Sequence, residues 1–354
     1  MEITKRKIYS LITIFLLLCF VRIIFAQGLW IPLQKENKYI SQNRFLLKDI
    51  HFVDKNNGWI VGGGYGDERL ILHTADGGKT WHRQSKEGKW AQFSYKHTGV
   101  YFVDTQNGWV VGDLGLILHT SNGGLTWLKQ DSCLKPLDIQ GVAMPIDLFN
   151  VHFTDKDNGW AVGVLGTIIH TDNGGLTWER QRSGTTEILW DIHCIDKDNC
   201  WAVGSRGTIL YTANGGQKWL GIFKGWETQE SNTGAHLYGV YFIDKDNGWV
   251  TGAGGISHTS DGGKIWQNQA KYNKTVLRKV FFIDKERGWA VGTDIANRSG
   301  AIIYTKDGGK TWVSQPSGTI YDLTSVYFVD KNFGWIVGEH GTILHYAGNN
   351  GTGE

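Results

Sequence analysis

One sequence unit occurs seven times in the 354-residue chain and constrains the fold more than any other feature. With substitutions, it runs from Leu-x-x-(Val/Ile)-x-Phe-(Val/Ile)-Asp through Gly-Trp-x-Val-Gly and Ile-Leu-His-Thr to Asp-Gly-Gly-Lys-Thr-Trp. The Gly-Trp tryptophans recur every 46 residues on average, at Trp59, Trp109, Trp160, Trp201, Trp249, Trp289 and Trp335. That period fits four short strands with their turns, which is one blade of a β-propeller. We therefore predict an all-β fold, a seven-bladed β-propeller with four-stranded blades.

The seventh copy of the unit is incomplete. After Thr342-Ile-Leu-His-Tyr346 no Asp-Gly-Gly-x-Thr-Trp phrase follows. The segment that begins Leu29-Trp30-Ile-Pro-Leu-Gln resembles the fourth strands of other copies, such as Thr80-Trp81-His-Arg-Gln. Pro32 suits an outermost strand, where a missing backbone donor can face solvent. We predict that an N-terminal strand completes the C-terminal blade and closes the ring.

The first 26 residues have the order of a secretory signal peptide. Lys5, Arg6 and Lys7 precede an apolar run from Leu11 to Val21, and Ala26 offers a small residue for cleavage. The run is short for a membrane span, although Arg22 leaves an uncleaved anchor open. We predict a signal peptide at 1–26 and a propeller at 27–354, in a protein exported to the periplasm or the extracellular space.

The overall charge excludes some classes of partner. Cleavage after residue 26 removes four basic residues and one acid, so the formal net charge changes from +2 to −1. A nearly neutral surface gives no electrostatic reason to bind nucleic acid. We expect a monomer whose partner is a protein, with a glycan as the alternative ligand.

Two cysteines replace repeated residues within one blade. Cys194 stands where other copies have Phe, and Cys200 stands where Gly58, Gly108 and Gly159 stand. Both positions fall on opposite arms of one predicted hairpin. In an oxidising compartment we predict a disulfide between them, the alternative being two unrelated small core residues.

The fourth phrase of the unit is an Asp-box, Ser/Thr-x-Asp-x-Gly-x-Thr-Trp. A short polar side chain in this turn can accept backbone N–H bonds while the tryptophan packs inward. Its polar residues are Asp76, Asn122, Asn173, Asn214, Asp261 and Asp307. Because asparagine alternates with aspartate, we predict a structural role rather than a catalytic one.

Catalytic and metal-binding motifs fail on spacing or context. Gly78-Lys79-Thr80 lacks both the earlier glycine and the following helix of a P-loop. Asp-Lys-Asp turns, such as the one at 155–157, lack the distal glutamate of a calcium loop.

Three histidines, His51, His152 and His193, occupy a repeated position that other copies fill with tyrosine or phenylalanine, which favours packing over metal ligation. The Arg-Ile-Pro type motif of sialidases is absent. We predict no catalytic residues, no metal and no cofactor, and hence not an enzyme.

The three phrases together resemble the photosystem II stability/assembly factor family, over essentially the whole mature chain. The resemblance implies an exported seven-bladed propeller that acts as a non-catalytic binding scaffold. Photosynthetic members hold a membrane-protein precursor in the thylakoid lumen, which would be the location here if the source is photosynthetic. By this resemblance we expect the partner to be a membrane or cell-envelope protein.

Propeller geometry predicts one binding face. Connections between blades emerge on the same face as the turns from second to third strands, and irregular sequence collects there. Aromatic residues and arginine are common interface anchors. The candidates are Lys48, Arg69, Trp90, Phe149, Trp190, Arg206, Trp226, Tyr238, Arg278, Arg298 and His340, with Thr98 and Thr324 completing the entry to the first strands. The alternatives are a carbohydrate-binding or glycoside-hydrolase-like Asp-box propeller, in which Trp90, Trp190 or Trp226 stacks on sugars, and a self-associating surface repeat protein.

Overall fold

The structure is a computed structural model that describes residues 29–33, 40, 44–64, 69–84, 96–139, 142–217 and 225–348. The predicted signal peptide lies outside these residues. Within them, strands form seven four-stranded antiparallel sheets and one two-stranded hairpin. The seven-bladed propeller predicted from the repeat is therefore confirmed. No helix in the described ranges is long and apolar enough to span a bilayer.

Each blade runs from an innermost first strand to an outermost fourth strand. The first blade contains β2 (Leu46–Phe52), β3 (Gly58–Gly63), β4 (Arg69–Thr74) and β5 (His82–Arg83). The second blade contains β6 (His97–Phe102), β7 (Gly108–Gly112), β8 (Leu116–Thr120) and β9 (Leu128–Gln130). After the hairpin of β10 (Leu137–Ile139) and β11 (Val142–Met144), the third blade contains β12 (Leu148–Phe153), β13 (Gly159–Gly163), β14 (Ile168–Thr171) and β15 (Glu179–Gln181).

The remaining blades repeat the order. The fourth blade contains β16 (Leu189–Cys194), β17 (Asn199–Gly204), β18 (Ile209–Ala213) and β19 (Glu227–Gln229). The fifth blade contains β20 (Leu237–Phe242), β21 (Gly248–Gly252), β22 (Gly255–Thr259) and β23 (Gln267–Lys271). The sixth blade contains β24 (Thr275–Phe282), β25 (Gly288–Asp294), β26 (Ser299–Thr305) and β27 (Val313–Gln315), and the seventh contains β28 (Leu323–Asp330), β29 (Phe333–Gly338) and β30 (Ile343–Ala347). Short 3-10 turns link second to third strands at Asp113–Gly115, Val164–Gly166, Ser205–Gly207 and Glu339–Gly341.

The seventh blade combines the two ends of the described chain. Strand β1 (Leu29–Pro32) pairs antiparallel with β30 as the outermost strand of a sheet ordered β1-β30-β29-β28. Trp30 is 5% exposed, and its indole N–H donates to Gln315 Oε1 of the sixth blade at 3.0 Å. The N-terminal strand thus connects the last blade to its neighbour.

Stacked aromatic pairs join adjacent blades. At six of the seven junctions the tryptophan of a second strand packs on the phenylalanine of the next first strand; the Trp59 and Phe102 ring centroids lie 3.5 Å apart. Six junctions share this stacking, at 3.5–4.0 Å. In the blades that have this phenylalanine, a glycine precedes the second-strand tryptophan and makes room for the phenylalanine ring, since a Cβ on Gly108 would lie 2.4 Å from Phe102.

Substituting that glycine tests the stacking. We expect Gly108→Ala to destabilise the protein by about 2 kcal/mol, because the added methyl must displace a fully buried ring. Gly234→Ala is the matched control, since a Cβ there meets nothing within 4 Å and the backbone φ is not positive. Urea unfolding measures both. Equal stabilities for the two variants would contradict this role of the glycine.

In the fourth blade a disulfide stands in place of the phenylalanine–glycine pair. Cys194 and Cys200 lie directly opposite each other on β16 and β17 and are joined by a disulfide. Both sulfur-bearing residues are buried and pack in one cluster with Trp160 of the third blade. The disulfide therefore fills the position against the neighbouring tryptophan that a phenylalanine fills elsewhere. Cys133 is exposed and unbridged.

Because the disulfide replaces a phenylalanine–glycine pair, we predict that this pair can restore the stability lost when the disulfide is removed. Opening the bridge with Cys200→Ser should cost about 2 kcal/mol from loop closure alone. The double variant Cys194→Phe/Cys200→Gly restores the pair of the other blades, and we expect it to recover most of that loss without a disulfide. Chemical denaturation under non-reducing conditions measures both variants. A double variant that is no more stable than Cys200→Ser would show that the two pairs are not interchangeable.

The Asp-box turns hold their polar residue within the turn. Asp76 Oδ1 accepts the Thr80 backbone N–H at 2.9 Å, and its Oδ2 accepts the Thr80 hydroxyl at 2.6 Å. Asn122 accepts the Thr126 backbone N–H in the same way, while its amide donates to the Thr126 hydroxyl at 2.9 Å. Although partial burial opposes ionisation, the bonds from Thr80 lower the pKa of Asp76. The hydrogen bonds of these side chains therefore stabilise the turn itself.

Candidate functional site

Seven β-bulge residues form the mouth of the central channel. In every first strand the register shifts by one residue near its start. A bulge re-aims side chains, so the skipped residue and the one after it can both face the channel. The seven skipped residues and four of the residues that follow them line a cavity of about 430 Å³. The skipped residues, called here the mouth ring, are Lys48, Thr98, Phe149, Trp190, Tyr238, Arg278 and Thr324.

The turns between second and third strands border the same face. Their backbone N–H groups bond the residues just before the first strands, as Asp113 does to Lys96 O at 3.0 Å. Arg206 and Arg298 are exposed near the tips of these connections, both at positive φ. His340 takes the same backbone conformation and stacks on Tyr321, with ring centroids 3.9 Å apart.

The other candidates lie elsewhere. Arg69 is half-buried at the start of β4, and Trp90 lies outside the described residues. The prediction that Trp226 lies in a connection between blades on the binding face is wrong. Trp226 directly precedes β19 within the fourth blade, is 8% exposed and packs in the core between the third and fourth blades. Its indole N–H donates to Gln181 Oε1 at 2.8 Å, as that of the Asp-box residue Trp178 does to Gln130.

Trp226 therefore occupies the position of an Asp-box tryptophan. The sequence pattern assigned that position to Trp219, which lies outside the described residues. The sequence between the Asp-box turn and β19 is longer than in other blades, so spacing alone points to the wrong tryptophan. The predicted position of Trp190 in a connection between blades is also wrong, because Trp190 lies within strand β16.

An aromatic arc forms one side of the mouth ring. Phe149 and Trp190 lie 4.6 Å apart by ring centroids, and Trp190 and Tyr238 lie 5.8 Å apart. The Arg278 guanidinium lies 5.1 Å from the centre of the Tyr238 ring and donates two hydrogen bonds to Asp322 Oδ2 at 3.0 and 3.2 Å. All four residues of the arc are partly exposed. This surface can receive apolar and hydrogen-bonding groups together.

The opposite side of the mouth is basic. Lys48 lies there with Lys96 and Arg44, next to His97 and Glu339. Burial lowers the pKa of Lys48, and the nearby positive charge of Arg278 lowers it further. A partner that lies across the mouth would therefore meet aromatic rings on one side and cationic groups on the other.

A polar layer lies directly below the mouth ring. It consists of the residue after each bulge: Asp49, Gly99, Asn150, Asp191, Gly239, Lys279 and Ser325. Asp191 accepts hydrogen bonds from the Lys279 ammonium at 2.7 Å, from the Asn150 amide at 2.6 Å and from the Val240 backbone N–H at 3.0 Å. Although burial opposes its charge, the carboxylates of Asp191 and Asp49 raise the pKa of Lys279.

Sequence reasoning missed the polar layer. Its residues share one repeated position, but the seven blades fill it with five different residue types, so no motif marks it. The one usable signal was charge: Asp49, Asp191 and Lys279 each follow a mouth-ring residue in strands that are otherwise mostly apolar or aromatic.

An unbroken ring of seven aromatic residues forms the floor of the channel. Neighbouring ring centroids are 4.3–5.1 Å apart around the circle formed by His51, Tyr101, His152, His193, Tyr241, Phe281 and Tyr327. Burial lowers the pKa of His51 and His152 to about 3 each, and that of His193 well below its usual value. These imidazoles are neutral at physiological pH. In the described part of the chain no group of three acidic, histidine or cysteine side chains could hold a metal ion.

Comparison with known proteins identifies the family. A family model described as photosynthesis system II assembly factor YCF48 matches residues 34–142, 129–223, 180–267 and 269–347. The chain belongs to this family. Among curated proteins no match was found.

Solved structures of YCF48 have the same fold. YCF48 bound to D1 peptide is 20% identical, with a TM-score of 0.64 over 86% of this chain and 94% of that one. YCF48 from Cyanidioschyzon merolae is 24% identical, with a TM-score of 0.65 over 87% and 97%. A streptogramin B lyase is 12% identical, with a TM-score of 0.65 over 87% and 95%. At these identities the likenesses show the fold alone.

Proposed function

We propose that this YCF48-family propeller is an exported, non-catalytic binding scaffold whose channel mouth docks a segment of a membrane or cell-envelope protein. The observation that carries the proposal is the mouth ring. Seven bulges present side chains from all seven blades to one cavity of about 430 Å³, with an aromatic arc facing a basic side. That combination is typical of protein interface anchors.

The family supports a protein as the partner. One YCF48 structure is of a complex with D1 peptide. Export is supported by the signal-peptide order of residues 1–26 and by the Cys194–Cys200 disulfide, because disulfides persist in oxidising compartments. We propose the periplasm, the extracellular space or, in a photosynthetic source, the thylakoid lumen as its location.

The described site offers little for catalysis. The channel histidines are held neutral within an aromatic ring, and the Asp-box carboxylates are committed to their turns. The burial of Trp226 also removes one of the three tryptophans on which a sugar-stacking function depended. These observations favour a protein-binding scaffold over a glycoside-processing propeller.

Capture from crosslinked native membranes tests the proposal. We expect wild-type protein to enrich one envelope protein and the Trp190→Ala/Arg278→Gln variant to lose it, since both changes remove anchors from the mouth. Lys156→Glu is the control, because Lys156 is exposed in the turn between first and second strands on the opposite face. Equal enrichment by the mouth variant, or loss with the control alone, would refute the mouth as docking face.

A further inference from the structure

A second cavity continues downward from the mouth into the channel. It has a volume of about 150 Å³ and is lined by four residues of the polar layer, Asp49, Asn150, Lys279 and Ser325, and by the histidines and tyrosines of the aromatic floor. It shares Asp49, Asn150 and Lys279 with the mouth cavity, so the two are continuous. The channel is therefore open from the mouth down to the floor residues.

The charges in the polar layer are unequal. The layer contains two carboxylates, Asp49 and Asp191, and one ammonium, Lys279. Asp49 and Lys279 line both cavities, whereas Asp191 lines the mouth cavity. That ammonium lies 2.7 Å from Asp191, which also accepts bonds from Asn150 and the Val240 backbone. Asp49 accepts only neutral donors, the Ser325 hydroxyl at 2.8 Å and the Val100 backbone N–H at 3.1 Å. Among the described residues no ion pair includes Asp49, although this residue is only 8% exposed.

A second buried group is also short of a partner. His51 is 7% exposed and lines the same cavity two residues beyond Asp49 on strand β2. Its Nδ1 has no hydrogen-bond partner among the described residues. A neutral imidazole nitrogen can accept a hydrogen bond, as a carboxylate does. The cavity therefore contains one carboxylate outside any ion pair and one imidazole nitrogen without a hydrogen-bond partner among the described residues, and buried polar groups of both kinds carry a free-energy cost.

We propose that the channel is a socket for one primary ammonium group, as on a lysine side chain of the docked segment, with Asp49 as its counter-ion. This inference rests on the mouth being the docking face. The polar layer lies one residue below the mouth ring, about 3.4 Å along a strand, which a four-carbon stem can span. The rings of Phe149 and Trp190 would contact that stem. An anionic group would instead be repelled by the Asp49 carboxylate.

Small probes of one size test the charge preference directly. Wild-type protein is titrated at neutral pH with n-butylamine, n-butanol and butyrate, and the melting temperature and tryptophan fluorescence are followed. We expect a saturable rise of the melting temperature with butylamine alone, because a ligand that binds only the folded state stabilises it. A similar rise with butanol or butyrate would overturn the proposal.

Matched variants locate the amine. We expect Asp49→Asn to weaken butylamine binding by about tenfold or more, the loss of one charge-assisted hydrogen bond. Asp157→Asn removes the same charge from an exposed turn on the opposite face and should leave the affinity unchanged. Unchanged affinity in Asp49→Asn contradicts the socket. If that variant does not fold, the comparison of the three probes on wild-type protein still decides.

The socket and the proposed function can fail separately. If the mouth variants lose an envelope protein but the probes show no preference for the amine, the docking face stands and the socket is wrong. If butylamine binds through Asp49 but the mouth variants retain every partner, the socket stands and the docking face is wrong.

Discussion

Removing strand β1 should destabilise the whole propeller. Its deletion exposes one edge of β30 and opens the ring between the sixth and seventh blades, where Trp30 packs with Phe328 and Tyr346 and donates to Gln315. We expect the loss to exceed that of Trp30→Ala, itself about 3–5 kcal/mol for a buried tryptophan. Urea unfolding followed by tryptophan fluorescence should show one cooperative transition at a lower midpoint.

A neighbour on the same strand provides the control for Trp30→Ala. Ile31 is 41% exposed and alternates with Trp30 along β1. We expect Ile31→Ala to change the free energy of unfolding by less than about 1 kcal/mol. If Trp30→Ala is equally mild, or if hydrogen exchange rises only along β30, the N-terminal strand is an appendage and does not close the ring.

Acid should destabilise the protein because of the three histidines in the floor of the channel. Burial keeps the pKa of His51 and His152 near 3 and that of His193 well below normal in the folded state, while unfolded histidine titrates near 6.5. Between those values the unfolded chain binds protons that the folded protein does not, so stability falls as the pH falls. Each such histidine contributes up to about 1.4 kcal/mol per pH unit.

The expected loss is smaller than the sum of three full shifts. His152 and His193 are only partly buried in the channel wall, and Asp49, whose pKa is raised by burial, takes up its proton more readily in the folded protein. We expect a loss of about 4 kcal/mol between pH 6.5 and 4.5. Denaturant titrations at several pH values measure it.

Residues from other blades provide the test variant. His152→Tyr/His193→Tyr places at both positions the residue found at Tyr101 and Tyr241, and should flatten the dependence on pH by more than half. His82→Tyr, at an exposed position on β5, is the control and should leave the slope as it is. A double variant with the wild-type slope would place the acid sensitivity elsewhere.

The repeat made most of the fold predictable. Seven copies specify seven blades, and the incomplete last copy pointed to Trp30 as its missing strand. Cys194 and Cys200 could be paired from sequence because both depart from the repeat at positions that face each other. These inferences succeed because they depend on a position recurring in every blade.

The site was harder to predict from the sequence because its residue types do not recur from blade to blade. The bulge in each first strand follows from strand geometry and has no residue signature, although it decides that Lys48 and Asp49 both face the channel. The Asp191–Lys279 ion pair joins residues 88 positions apart, from the fourth and sixth blades. Gly239 of the fifth blade, which has no side chain, lies between them at the same repeated position. Trp226 was misplaced because the chain before β19 breaks the period.

Site-specific photocrosslinking tests the central claim most directly. A photoreactive phenylalanine derivative replaces Tyr238 at the channel mouth or, in a second protein, Lys245 in an exposed turn on the opposite face. After irradiation with native envelope membranes, the binding-scaffold account predicts a discrete crosslink to one membrane or envelope protein from position 238 and none from position 245. Equal crosslinks from both positions, or a crosslink from 245 alone, would contradict it.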